Sequence, residues 1–191
     1  MIGKINEALI ALAANGTVEA IGNEFGVASE NLLTATTANP KANATDNSWT
    51  AVVNSGTLII GYTVFAPIAY TKNSVFTGYD IELARAVVAY LNDTYSVNIE
   101  IEFSEINWNA KETLLENGGI DLVWNGMTVT PQRQEGMSLS VSYLANKQAV
   151  IIPKADESKY DLTSLDAFIA SAKNAIVAVE AGSAAEDVMK K

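Results

Sequence analysis

Short apolar segments alternate with helical patterns over the middle of the chain. "TLIIG", "VNIEIEF" and "IDLVW" predict strands. The second alternates apolar with acidic or amide residues, which is typical of a strand with one solvent-exposed face. Between them, "YDIELARAVVAYL" and a segment near residues 110–116 predict helices. Strands that alternate with helices form parallel sheets with right-handed crossovers. The sequence therefore predicts an α/β fold.

The first of these helices has a clear inner face. Leu83, Val87 and Leu91 recur at helical spacing and predict its buried side. Asp80 lies at the start of the helix, and we expect its side chain to cap it.

A smaller unit is predicted after this sheet. It contains a strand "QAVIIP", a helix around "SLDAFIASA", a strand "AIVAVE" and a last helix "AAEDVMKK". Two strands and two helices cannot cover a sheet on both faces. We therefore expect this second unit to be incomplete.

The chain begins with a helical pattern. Ile5, Leu9 and Leu12 share one face, "NG" ends the helix, and a shorter helical segment "VEAIGNEF" follows. Residues 29–55 are rich in Ala, Thr, Asn and Ser and have no clear period, so we predict a linker there.

The charge and the missing residue types exclude several classes of function. A net charge of −10 argues against nucleic acid, since phosphate binding needs clustered Lys and Arg. Without cysteine or histidine, the commonest metal ligands and nucleophiles are missing, and we expect no metal and no cofactor. No apolar run approaches the roughly 18 residues of a membrane span, and the first residues do not have the pattern of a signal peptide.

One polar segment lies where parallel sheets bind their ligands. "NGMTVTPQR" directly follows the predicted strand "IDLVW". Gly126 permits close approach of a ligand to the backbone, and Thr128 offers a hydroxyl. Thr130 and a following proline predict a helix whose first turn has free N–H groups. Arg133 on that turn can hold a carboxylate with two donors; the alternative is a surface ion pair.

The segment "VEAGSAAED" repeats this arrangement in the second unit. A predicted strand ends at Glu180, Gly182 and Ser183 make a turn, and a helix follows. Taken alone, this is an ordinary turn between strand and helix. Two anion-receptive turns, one from each unit, are a stronger indication of an anion site.

Two aromatic residues are predicted at the same sheet edge as Gly126. Phe65 follows the first predicted strand and Trp108 follows the second. An aromatic residue at a strand end is more often part of the core, but the shared location favours the wall of a binding site.

Four segments together resemble the polar amino-acid-binding proteins of ABC importers. They are "GTLIIGYTVFAPIAY", "TGYDIELARAVVAYL", "NWNAKETLLENGGIDLVWNGMTVTPQR" and "SYLANKQAVIIPK". The resemblance implies a type II periplasmic-binding-protein-like fold, with a parallel-sheet lobe, one hinge strand and a partial second lobe. It also implies a solute-binding protein that captures a free amino acid between two lobes for ABC-transporter uptake.

The resemblance also implies roles for single residues. Phe65 and Trp108 would enclose the ligand side chain, and the Gly126 carbonyl would accept from its α-ammonium group. Thr128 and Arg133 would hold its α-carboxylate.

The second unit and the neighbouring positions complete the implied site. Ser183 and Ala184 would add backbone N–H groups, and the acid at Glu180 favours a cationic or amide ligand side chain. Tyr62 lies where many family members have an acid, so the identity of the ligand cannot be inferred from those members. The predicted ligand-binding set is completed by Asn125, Met127 and Gly182.

The order of segments departs from the family. "GKINEALIALAANGTVEAIGNEFG" resembles the family's C-terminal helices but comes first, so the resemblance implies circular permutation. The implied domains are C-terminal-type helices of lobe 1 (1–28), a linker (29–55), the core of lobe 1 (56–147), and the hinge strand with a partial lobe 2 (148–191). We expect the rest of lobe 2 to be missing. Three explanations stay open: a designed permutant or split protein, a piece of a tandem array, or a partner chain that completes the lobe.

Three functions are weighed on this basis. The first is amino-acid binding without enzymatic activity, with an ABC permease as partner of the native parent and an extracytoplasmic location in the periplasm or at the cell surface. The second is an incomplete or engineered fragment that forms a homodimer or pairs with a complementing fragment. The third and least favoured is a dehydratase-like enzyme with Glu180 as its acid or base.

Overall fold

The computed structural model describes residues 1–190, which form two compact units, Met1–Asn146 and a unit that begins at Lys147. The helices of the first unit are α1 (Ile2–Ala14), α2 (Thr17–Phe25), α3 (Ser48–Ser55), α4 (Tyr79–Tyr95), α5 (Lys111–Glu116) and α6 (Pro131–Gly136). Its strands are β1 (Thr57–Tyr62), β2 (Tyr70–Lys72), β3 (Val75–Thr77), β4 (Glu100–Glu105) and β5 (Leu122–Val123), and 3₁₀ turns cover Ala28–Glu30 and Trp108–Ala110.

A parallel sheet with the strand order β4-β1-β5 forms the centre of the first unit. β1 pairs with β4 from Thr57 opposite Glu100 to Tyr62 opposite Glu105. β5 is shorter than predicted, although Asp121 and Trp124 each add one backbone hydrogen bond to β1. The predicted α/β fold with a parallel sheet is confirmed, and the carboxyl ends of the strands meet at one edge.

The core lies between this sheet and the helices. Leu58 and Ile60 of β1 are buried, and so are the predicted inner residues of α4, Leu83, Val87 and Leu91. The helical spacing of the last three therefore identified the buried face of α4 correctly.

Asp80 does not cap α4, contrary to our prediction. Gly78 occupies the cap position, and Asp80 is the second residue of the helix. Its carboxylate accepts hydrogen bonds from the Gly126 backbone N–H and the Tyr143 hydroxyl. The Asp80 side chain thus binds the N–H of a residue 46 positions away in the chain and not an N–H of its own helix.

The first two helices pack on α4. Ile5, Leu9 and Leu12 of α1 are buried, as their spacing predicts, and α1 and α2 both contact α4. Within residues 29–55, predicted to be a linker, Leu33 and Val52 are also buried, the second of them on α3. Part of the predicted linker thus contributes to the core.

The second unit contains a 3₁₀ turn (Lys154–Lys159), α7 (Leu165–Ser171) and α8 (Ala184–Met189). The strands predicted over "QAVIIP", the hinge strand, and over "AIVAVE" are not formed within residues 147–190. A strand needs a neighbour to pair its backbone groups, and these segments have none within that range. Two of their aliphatic side chains, Ile151 and Ile176, are almost fully exposed.

No helix within residues 1–190 is both long and apolar enough to cross a membrane.

Candidate ligand-binding site

The segment "NGMTVTPQR" is fixed to the loop that follows β1. Asn125 is buried and makes two hydrogen bonds with Thr63: its Oδ1 accepts from the Thr63 backbone N–H at 3.2 Å, and its Nδ2 donates to Thr63 Oγ1 at 2.7 Å. The amide thus joins two loops at the carboxyl edge of the sheet. Thr63 was not among the predicted site residues, although it follows β1 directly.

Gly126 has a backbone conformation that favours glycine. Its φ is 61°, in the left-handed region, so a side chain there would be strained even though space for a Cβ is available. Its N–H donates to Asp80 Oδ2 at 2.5 Å. The glycine therefore makes a sharp turn, and its N–H is bound by the buried carboxylate of Asp80.

That carboxylate has an unusual titration behaviour. Burial raises the pKa of Asp80 from 3.8 to about 7, and the hydrogen bonds from Tyr143 and Gly126 offset only part of this effect. The Tyr143 hydroxyl lies 3.0 Å from the same oxygen. Sequence reasoning missed Asp80 and Tyr143 as parts of the site, because their partners are distant in the chain.

Arg133 lies on the first turn of α6 and is buried. Thr130 caps this helix, since its Oγ1 accepts from the Arg133 N–H at 3.3 Å, and Pro131 occupies the first helical position, as predicted. The guanidinium Nη1 donates to the Thr128 carbonyl at 2.7 Å. Burial of the side chain does not fit the alternative of a surface ion pair.

Two cations flank the indole of Trp108. Arg133 Cζ lies 5.8 Å and Lys111 Nζ 4.8 Å from the ring centroid, within the range of cation–π attraction. Lys111 is also buried; its Nζ donates to the Trp108 carbonyl at 3.3 Å and lies 3.0 Å from Glu112 Oε1. The structure thus brings together Trp108, Thr128 and Arg133. Lys111 was missed, because a lysine at a helix start gives no sign of burial.

The other predicted aromatic residues have different surroundings. Phe65 is 55% exposed in the loop after β1, where its backbone pairs with Ala69. The Tyr62 ring packs against Phe76 at a centroid distance of 4.5 Å and against Phe103 at 6.4 Å. Burial raises the pKa of the Tyr62 hydroxyl, with a smaller contribution from Glu105. Tyr62 therefore forms part of an aromatic cluster with the β2–β3 hairpin.

The remaining predicted residues of the first unit lie on the same segment. Met127 stands between Gly126 and Thr128, and the Thr128 hydroxyl accepts from Asn146 Nδ2 at 3.2 Å.

In the second unit, polar groups of the predicted turn form hydrogen bonds with the helix that follows it. Ser183 caps α8 by accepting from the Glu186 N–H at 3.3 Å, and Gly182 N–H donates to Glu186 Oε2 at 2.7 Å. The pair is similar to a capping box, except that Glu186 accepts from Gly182, the residue before the cap. The Ser183 N–H donates to the carbonyl of Glu180, whose side chain is exposed. Two N–H groups of the predicted anion site, next to Ala184, are thus engaged in local hydrogen bonds.

Residues 1–190 contain no group of three or more acidic residues placed to hold a metal ion.

Comparison with known proteins assigns the chain to a family. Residues 58–190 match the family of bacterial extracellular solute-binding proteins, family 3, and the chain belongs to this family. The resemblance to amino-acid-binding proteins of ABC importers is thereby confirmed, while the permutation stays a prediction.

Individual relatives are amino-acid-binding proteins. The arginine-binding extracellular protein ArtP of Bacillus subtilis is 32% identical over 136 residues, which is 70% of this chain and 48% of ArtP. The glutamate-binding protein GluB of Corynebacterium efficiens is 26% identical over 119 residues, 61% of this chain and 40% of GluB. A solved substrate-binding protein of an ABC uptake transporter from Streptococcus pneumoniae, with bound histidine, is 31% identical with a TM-score of 0.44, covering 53% of this chain and 39% of that one. The chain spans about half the length of the relatives it matches, or less.

Proposed function

We propose that this chain carries the first lobe of a solute-binding protein that captures a free amino acid for uptake by an ABC transporter. The observation that carries the proposal is the buried Arg133 beside Thr128 and Trp108, at the carboxyl edge of a parallel sheet. A guanidinium has five N–H donors in a planar fork, so its contact with the Thr128 carbonyl can be combined with contacts to a carboxylate. Family membership and the names of the relatives support an amino acid as the source of that carboxylate.

In this proposal each first-unit residue has a distinct role. Arg133 and Thr128 bind the α-carboxylate, the Gly126 carbonyl accepts from the α-ammonium group, and Phe65 and Trp108 contact the ligand side chain. The other predicted residues at the carboxyl edge of the sheet, which complete the site in this unit, are Tyr62, Asn125 and Met127. Contributions from Glu180, Gly182, Ser183 and Ala184 require the N–H groups of their turn to exchange partners. The Gly182 N–H is held by the Glu186 side chain, a contact that can open at modest cost, and the Ser183 N–H would have to leave the Glu180 carbonyl.

Arg133→Ala tests the proposal directly. The chain is screened by thermal shift against the twenty amino acids, starting with L-arginine, and hits are titrated by calorimetry. We expect Arg133→Ala to weaken binding at least about 30-fold, since truncating one partner of a buried charge pair costs roughly 2 kcal/mol or more. Arg133→Lys should lose most of this affinity as well, because lysine keeps the charge without the planar fork.

The control is Arg85→Ala. Arg85 is a half-exposed arginine of the same unit that pairs with Glu82, and its removal should leave affinity unchanged. Melting without ligand checks that each variant folds. Equal affinities of wild type and a folded Arg133→Ala chain would contradict the assignment.

We further propose a binding protein and not an enzyme. The acid considered for a dehydratase-like reaction, Glu180, is exposed in the second unit, whereas catalytic acids are usually tuned by burial and neighbours. The native parent is proposed to be extracytoplasmic and to deliver its ligand to a permease, in line with its family of extracellular solute-binding proteins.

We also propose that α1 and α2 are the helices that family members have after their second lobe. They pack on α4, and Asn6 of α1 accepts from the Val141 N–H at 2.9 Å through its buried side chain. The family match begins only at residue 58, beyond these helices.

A second candidate role is self-association. Ile151, Leu165, Ile176 and Val188 of the second unit are all exposed, and such aliphatic surface favours pairing with another copy of the chain. We expect sedimentation velocity to show reversible association as concentration rises, and Ile176→Asp to weaken it. Val75→Asp, at an exposed position of the first unit, is the control. A strictly monomeric chain at all concentrations would rule this role out.

A further inference from the structure

Asp80 contacts two segments that are far from it in the chain. Its Oδ2 accepts from the Gly126 N–H at 2.5 Å and from the Tyr143 hydroxyl at 3.0 Å. The side chain is fully buried. One carboxylate oxygen therefore joins three parts of the chain: α4, residues 125–133, which we call the binding segment, and the segment around Tyr143.

The segment around Tyr143 is the last part of the first unit. We call residues 143–146 the exit segment, because the first unit ends at Asn146. The Leu32 N–H donates to the Tyr143 carbonyl at 3.0 Å, and the Ala145 N–H donates to the Glu30 carbonyl at 2.7 Å. Asn146 Nδ2 in turn donates to Thr128 Oγ1 at 3.2 Å. The binding segment and the exit segment are thus joined twice, through Asp80 and through Thr128.

We propose that Asp80 is a positioning residue, which fixes Gly126 of the binding segment and ties it to the exit segment. It acts on the ligand only through Gly126, so its effect on affinity rests on the proposed function. The contacts that define it lie within the first unit and do not depend on that function.

The surroundings of Asp80 show why a carboxylate matters there. Hydrogen bonds to an ionised oxygen are shorter and stronger than those to a neutral one, and the Gly126 contact is short. Oδ1 has no hydrogen-bond partner among the described residues, and the same is true of the buried Tyr79 hydroxyl and Trp124 Nε1. When Asp80 is ionised, its hydrogen bonds are therefore directed to Gly126 and Tyr143 and are not shared with other donors among the described residues.

The titratable groups that face Asp80 are Tyr79 and Tyr143. Burial raises the pKa of Tyr79 to about 12 and that of Tyr143 well above its ordinary value. Both hydroxyls keep their protons at neutral pH, so Tyr143 acts as a donor. The titration that changes the Gly126 contact near neutral pH is that of Asp80 itself.

The first test follows the Gly126 amide by nuclear magnetic resonance in the full, isotopically labelled chain. Its proton shift is expected to titrate with a midpoint near pH 7. Asp80→Asn should abolish this titration, while Tyr143→Phe should raise the midpoint, because the Tyr143 hydrogen bond lowers the pKa of Asp80. Asp121→Asn is the matched control: Asp121 is an exposed carboxylate that also accepts a backbone N–H, that of Ile59 at 2.8 Å. A Gly126 shift that does not titrate, or that titrates equally in Asp80→Asn, overturns the proposal.

The second test separates positioning from a local contact. Amide hydrogen exchange at Gly126 and at Ala145 should both accelerate about tenfold or more in Asp80→Asn, and at neither position in Asp121→Asn. Acceleration at Gly126 alone would overturn the tie to the exit segment. With L-arginine as probe, Asp80→Asn should weaken binding about fivefold or more, and unchanged affinity would overturn the effect on the ligand. A wild-type chain that binds no amino acid contradicts the proposed function, whereas the two amide tests still decide the role of Asp80.

Discussion

The free energy of unfolding of this chain is expected to fall as pH rises from about 4 to about 7, and Asp80→Asn should remove most of that fall. The pKa of Asp80 is about 7 in the folded chain and 3.8 ordinarily, because burial disfavours its charge. Between these values the folded state holds a proton that the unfolded state has released. Stability therefore decreases with rising pH across this window, the reverse of the usual effect of a paired carboxylate.

The size of this effect follows from the two pKa values. At 1.36 kcal/mol for each pKa unit, the loss is roughly 4 kcal/mol at most. Urea unfolding of wild type and Asp80→Asn at pH 5, 6, 7 and 8 measures it as the difference in slope. The titration of Asp46 lies outside this pH window. Hydrogen bonds from Ser48 lower the pKa of Asp46 to about 2, so its contribution to stability is lost only as pH falls below about 4. Parallel slopes for the two chains would show that Asp80 is charged throughout.

Leu9→Ala is expected to lower the free energy of unfolding by about 2–5 kcal/mol, because it leaves a cavity where a buried leucine of α1 packs. Leu9 is 1% exposed within the cluster that includes the inner face of α4. Leu32→Ala is the control, as Leu32 is 49% exposed and a surface change usually costs within about 0.5 kcal/mol. The measurement is denaturant unfolding followed by far-ultraviolet circular dichroism.

The outcome also bears on the proposed permutation. A large effect in a single cooperative transition would show that α1 belongs to the same folding unit as the sheet. A separate early transition, or no change in stability, would mean that α1 and α2 do not contribute to the stability of the lobe.

The sequence predicted the first unit well because its signals are local and repeated. Period two in β4, whose apolar side chains are half-buried, and helical spacing in α4, whose inner side chains are buried, each depend on residues close together in the chain that share one face. The burial of Arg133 could not be predicted in the same way. Its first-turn position was clear, but only the fold brings Trp108 beside it.

The wrong predictions have a different origin. "AIVAVE" has the composition of a strand, yet strand formation depends on a partner that composition does not report. Asp80 has the residue type of a helix cap, but the N–H of Gly126 and the hydroxyl of Tyr143 take its carboxylate in the folded chain. A missing pairing partner decides the first case and contacts with distant segments decide the second, so neither result follows from local preference.

The two cations around Trp108 have a practical consequence. Indole fluorescence responds to nearby charge, and Arg133 and Lys111 place two positive charges against the same ring. An anion that binds Arg133 alters the field on that ring, so the emission of Trp108 should shift on binding. The chain has two other tryptophans, Trp49 and Trp124, and replacing both by phenylalanine would leave Trp108 as its single tryptophan. Occupancy could then be followed optically in real time without attaching a dye.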